Sequence, residues 1–109
     1  LDAMPDVIVA ANDAMALGAA QAVEARGLTG EIAIYGYDGS RDALRAVRDG
    51  GLAATVDQFP GEQGRTAVRV LVDHIRTGAT PESDNILLDP VAITQDNLDR
   101  AERVGMIEE

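Results

Sequence analysis

Cysteine, tryptophan and lysine are all missing from this 109-residue chain, and aromatic residues make up only 3% of it. Without cysteine there is neither a disulfide framework nor a thiol nucleophile, and the absence fits either redox compartment. Without lysine there is no receiver-type phosphotransfer pocket, which sets a lysine beside its acidic residues. All nine basic residues are arginines, set against 19 acidic ones, for a net charge of −10. That balance argues against nucleic acid, whose phosphates need basic clusters, and against an anionic membrane surface. No apolar run is long enough to span a bilayer, and no basic-then-apolar leader opens the chain. If the parent protein is exported, its signal is expected outside this sequence.

The remaining composition is that of an ordinary soluble globular protein, 46% hydrophobic and 26% charged. The length suits one domain with a modest core, so a partner is plausible.

Three apolar runs each end in a polar side chain just where a helical pattern begins. Residues 7–11 run into Asn12-Asp13, residues 32–37 into Asp38-Gly39-Ser40, and residues 52–56 into Asp57-Gln58. Pro5 suits a strand start, and the unbroken apolarity of 7–11 fits a strand covered on both faces. Helices are expected over 14–26, from Ser40 to Gly50, over 62–77, and from Thr94 to about Val104. A broken fourth strand is expected over 86–93, with Pro90 marking an edge or a crossing segment. The order β-α-β-α-β-α-β-α predicts an α/β fold, an open parallel sheet with right-handed crossovers and helices on both faces. Gly18 and Gly36 read as close-approach positions, Met15 as core, His74 as solvated surface, and the tail 105–109 as frayed. Arg41, Arg45 and Arg48 form a solvated row pairing with Asp42 and Asp49.

Parallel strands bring their C-terminal ends to one edge, where open α/β sheets take their ligands. Asn12, Asp38 and Gln58 would therefore face one crevice. A carboxylate accepts hydrogen bonds from two adjacent hydroxyls, and a side-chain amide donates and accepts at once. Together they suit a small polar ligand such as a sugar. Plainer readings stand beside this one. Asn12 and Asp13 could only cap a helix, Asp38 could only open a turn, and Gln58 could be a polar hinge. Asp13 and Phe59 are secondary candidates, Asp13 mostly a capping residue and Phe59 mostly packing at the crossing.

The segments 12–19, Tyr35-Gly36-Tyr37-Asp38-Gly39-Ser40, 54–60 and Ile93-Thr94-Gln95-Asp96-Asn97 resemble the C-terminal part of ribose-binding-protein-like periplasmic binding proteins. These are the solute receptors of sugar ABC transporters. The resemblance covers essentially the whole chain. It implies a class I lobe and a fragment of a two-lobed receptor. In that reading 1–58 belong to the C-terminal lobe, 59–86 form a crossing and a helix of the other lobe, and 87–109 form a return strand and a terminal helix. It also implies that Asn12, Asp38 and Gln58 contact a sugar, that a transporter permease is a partner of the intact parent, and that the parent is extracytoplasmic. The first lobe and its stacking aromatics are absent, so weak sugar binding or none is expected of this piece alone. An unpaired edge and an orphan helix favour a homodimer, with swapping as one form.

Two other function classes compete. The effector domain of a lac-repressor-family regulator shares the fold, although the Gln-Phe-Pro crossing and the Ile-Thr-Gln-Asp-Asn ending lean towards the transporter branch. An enzyme is not expected. Ala11-Asn12-Asp13-Ala14 is not a glycine-rich cofactor turn, and no histidine is suited to a catalytic triad. No cofactor is expected, and a magnesium site on Asp13, Asp38 and Asp57 is disfavoured.

Overall fold

The computed structural model describes residues 3–107. Strands β1 (Val7–Val9), β2 (Ala33–Tyr37), β3 (Ala54–Asp57) and β4 (Val91–Ile93) form one sheet in the order β1-β2-β3-β4. Helices α1 (Asp13–Glu24), α2 (Arg41–Arg48) and α3 (Pro60–Thr77) alternate with them. β1, β2 and β3 are parallel, as the βα alternation requires. β4 departs from the expected parallel order by running antiparallel to β3, with Thr55 opposite Ile93 and Asp57 opposite Val91. The sheet is therefore mixed. After α3 the long segment 78–90 carries no crossover helix back along the sheet, so nothing forces a parallel return. Pro90 stands just before β4, which is an edge strand, where its missing N–H costs no ladder bond.

Both long helices of the sheet unit lie on one face. Ile34 packs with Ala16 and Val23 of α1 and with Ala43 and Val47 of α2 in one buried cluster. Leu44 of α2 packs with Ile93, Ala101 and Ile107 in a second. Strand alternation sends Val7, Val9, Tyr35 and Tyr37 to the opposite face, where they are exposed, Val9 at 78%. The expectation of helices on both faces is corrected accordingly: in the described residues, α1 and α2 cover one face only.

Helix α3 has a strong amphipathic period but no buried residue. Val68, Leu71 and Ile75 are all exposed. It extends away from the sheet, which is why the radius of gyration is 17.7 Å against about 13 Å for a compact chain of similar length.

Smaller expectations fare differently. Gly36 is a close approach, since a Cβ there would press on Asp13 Oδ1 and meet Ala16 Cβ at 3.1 Å. Gly18 is not, because nothing lies within 4 Å of its would-be Cβ. Met15 is exposed rather than core, because it points off the solvent side of α1. The last helix is replaced by two short 3-10 segments, Gln95–Arg100 and Val104–Met106. The tail is docked through residue 107, where buried Ile107 gives its carbonyl to Arg48 Nη1 at 3.1 Å. Residues 1, 2, 108 and 109, the outermost of those expected to form the leading turn and the frayed tail, lie outside the described residues.

Candidate ligand-binding rim

Asn12, Asp38 and Gln58 follow the C-terminal ends of three parallel neighbouring strands, so they stand along one edge of the sheet. All three are half-buried. Asn12 caps α1, its Oδ1 accepting the N–H of Met15 at 2.9 Å. That fixes the rotamer and leaves the two Nδ2 donors for an outside acceptor. Asp38 and Gln58 meet directly, Gln58 Nε2 donating to Asp38 Oδ1 at 3.4 Å. The bond is long, so either group can exchange it for a better partner.

Asp38 has φ 127, a conformation that side-chain-bearing residues rarely adopt. Such a backbone persists only where its surroundings over-determine it, at a cost of about 1–3 kcal/mol. The surroundings here are explicit. Asp38 N–H donates to Val56 O at 2.9 Å. Gly39 N–H donates to Thr55 Oγ1 at 3.2 Å, and Ser40 N–H to Asp13 Oδ2 at 2.7 Å. Thr55 Oγ1 in turn donates to Asp13 Oδ1 at 2.6 Å. Gly39 cannot carry a side chain, since a Cβ would come within 2.8 Å of Asp57 Cβ. Ser40 then caps α2, accepting from Ala43 N at 3.3 Å.

Asp13 is thus an internal fastener, and the cap of α1 is Asn12 instead. It is 2% exposed, and both its oxygens are engaged. The reason is positional: it is the first residue of α1, and its carboxylate points under the β2–α2 turn. Phe59 is half-buried and sits at φ 54, where the chain leaves β3 for α3. Asp57, fully buried, accepts the N–H of Phe59 at 2.8 Å and that of Glu102 at 2.8 Å. Asp13 and Asp57 are therefore committed to the protein's own donors. Among the described residues no cluster of three potential metal-ligating side chains is found.

Three participants escaped the sequence reading. Thr55 is the one hydroxyl in an apolar strand, a signal that could have been followed. Glu102 and Arg103 give no such signal, because their partners lie some 40 to 65 positions away. Arg103 Nη1 donates to the carbonyls of Asp38 at 3.3 Å and Gly39 at 3.1 Å. Glu102 accepts the N–H groups of Gly61 at 2.8 Å and Glu62 at 2.9 Å and pairs with Arg65 at 3.0 Å. Those N–H bonds, with Arg65, hold its carboxyl below the ordinary glutamate value of 4.5. Phe59 offers no side-chain cap to α3, so Glu102 satisfies its first donors from across the fold.

At the other edge of the sheet a cleft of about 320 Å³ opens between α1 and α2, lined by Leu17, Val23, Ile32 and Ala46 among others. It lies at the N-terminal ends of the strands, away from the polar rim.

A mostly parallel sheet with amide and carboxylate side chains set along its carboxyl edge is an open α/β lobe, the class of fold that takes ligands at that edge. The family described as "Periplasmic binding protein domain" matches residues 2–80, and the chain belongs to that family. It is 38% identical over 92 residues to the D-allose-binding periplasmic protein of Escherichia coli, covering 81% of this chain and 30% of that protein. It is 43% identical over 82 residues to the fructose import binding protein FruE of Bifidobacterium longum, covering 73% and 24%. Among solved structures, the myo-inositol binding protein of Caulobacter bound to myo-inositol superposes with a TM-score of 0.86 at 45% identity, covering 96% of this chain and 35% of that one. The chain spans about a third or less of the length of these relatives.

Proposed function

We propose that this chain is the part of an extracytoplasmic sugar receptor that carries one wall of its ligand site, and that the receptor serves an ABC importer. Asn12, Asp38 and Gln58 are the ligand contacts in this reading. Asp38 accepts from a pair of neighbouring ring hydroxyls, while Asn12 Nδ2 donates to a third oxygen and Gln58 donates and accepts beside it. The observation that carries the reading is the strained Asp38, whose backbone is fastened from several sides while its carboxylate keeps only one long bond. The permease is then the protein partner. Relatives that are binding proteins support binding without chemistry as part of this reading.

The lobe assignment rests on two uncovered surfaces. The bare sheet face at Val7, Val9, Tyr35 and Tyr37 supports further C-terminal-lobe structure beside residues 1–58. The apolar stripe Val68, Leu71 and Ile75 on α3 supports packing of 59–86 on a second lobe. For the chain on its own the same surfaces support a homodimer, with exchange of α3 as one form of it. Relatives named as import binding proteins for fructose and ribose favour the transporter role over a regulator's effector domain.

Calorimetry on a two-lobed receptor bearing this sequence tests the reading, with D-allose, D-ribose and myo-inositol as ligands. Asp38→Ala is expected to weaken the best of them by at least about tenfold, the loss of hydrogen bonds to a charged group. Unchanged affinity for every sugar would contradict it.

A further inference from the structure

Consecutive residues of the C-terminal segment grip the chain at Asp38 and on either side of Gln58, the two rim residues whose side chains touch each other. Arg103 Nη1 bridges the carbonyls of Asp38 and Gly39. The N–H of Glu102 donates to Asp57 Oδ2, one residue before Gln58, and its carboxylate holds the first turn of α3 just after it. Gln58 is pinned from its other side as well, its carbonyl accepting from Gln63 Nε2 at 2.7 Å. An arginine serving only as solvated surface would not place one nitrogen between two successive carbonyls of a strained turn. We propose that Glu102 and Arg103 are positioning residues, a brace that fixes the spacing of the Asp38 carboxylate and the Gln58 amide and ties both to the direction of α3. The inference deepens the sugar-binding reading and rests on it only for the identity of the ligand.

The brace is testable without any ligand, in the 109-residue chain, by amide exchange and side-chain amide signals. Arg103→Leu is expected to speed exchange at Gly39 and Ser40 by at least about tenfold through local opening. Leu52, whose N–H bonds Ala46 O at the far end of β3, is expected to keep its rate. Arg103→Lys, which still offers donors to the two carbonyls, is expected to restore most of the protection. Exchange at the parental rate in Arg103→Leu overturns the proposal, and so does a uniform increase that includes Leu52. Should Arg103→Leu fail to fold, Glu102→Gln carries the test. It must move the Gln58 side-chain amide signal as well as the Gly61 and Glu62 amides, and an unmoved Gln58 signal overturns the brace. D-allose is then added as probe. Weakened binding in Arg103→Leu with recovery in Arg103→Lys supports the role at the site. If the parental chain binds no D-allose, the sugar arm moves to the two-lobed receptor bearing this sequence, where failure to bind D-allose, D-ribose and myo-inositol alike would sink the sugar reading, and the exchange rates alone decide the brace.

Discussion

Asp13 Oδ2 accepts the backbone N–H of Ser40 at 2.7 Å across 27 positions of sequence. That one bond ties the helix start beside Asn12 to the turn that carries Asp38. Its other oxygen takes the Thr55 hydroxyl, which in turn accepts from Gly39. The C-terminal ends of β1, β2 and β3 are thereby joined under the rim rather than merely adjacent to it.

Thr55→Val keeps the shape of a fully buried side chain but removes the acceptor of the Gly39 N–H and a donor to Asp13. The expected cost is about 1–3 kcal/mol in urea unfolding, the penalty of a buried polar group left unpaired. Asp13→Ala, which strands the Ser40 N–H and the Thr55 hydroxyl together, should cost more than Thr55→Val.

Gly36→Ala brings a methyl group against Asp13 Oδ1 and Ala16 Cβ. Overpacking of this kind costs about 1–3 kcal/mol. Gly18→Ala is the contrasting case. Nothing lies near the added methyl, so the change should stabilise α1 by up to about 1 kcal/mol through helix propensity. Thermal midpoints of the two variants, moving in opposite directions, check both statements.

The Glu102 carboxyl is held below 4.5 by the Gly61 and Glu62 N–H groups and by Arg65. A depressed carboxylate contributes stability that is complete above its unfolded pKa and is lost as pH falls through the lower, folded value. Acidification from neutral pH should therefore loosen the head of α3 first below about the ordinary glutamate range. Glu102→Gln should show a smaller loss of stability over that same acid interval. Carboxyl-carbon titration of Glu102 by NMR, with a midpoint at or above 4.5, would contradict this.

Leu71 stands on the outward stripe of α3 and is 58% exposed. In the chain as a monomer, Leu71→Glu should change stability by no more than about 0.5 kcal/mol, as for other surface substitutions. If light scattering finds a dimer, the same change should dissociate it. In a receptor where a second lobe covers α3, it should be destabilising by well over that margin.

How far the sequence could be read follows from which interactions are local. The three strand ends were legible because each apolar run stops at a polar pair, and the caps Asn12 and Ser40 follow from helix-terminus chemistry within a few residues. The direction of β4 was not legible, because a long polar loop precedes it and no local pattern sets the return. Single-sided coverage of the sheet was also hidden, since Val7 and Val9 are apolar whether a helix covers them or not. The period of α3 was read correctly, but amphipathicity alone does not say what it packs against. Asn-Asp before a helix reads as a capping pair. Only the tertiary position of Ser40 shows that the carboxylate is turned inward.

The most direct measurement is a titration of the 109-residue chain with D-allose, followed through its side-chain and backbone amides. Weak binding is expected, since one wall of a site is present. The signals of Asn12 Nδ2, Gln58 Nε2 and the amides around Asp38 should move together along one saturating curve, and Asp38→Asn should flatten it. Shifts that gather instead at the cleft between α1 and α2, or that persist undiminished in Asp38→Asn, would contradict the rim as the ligand site.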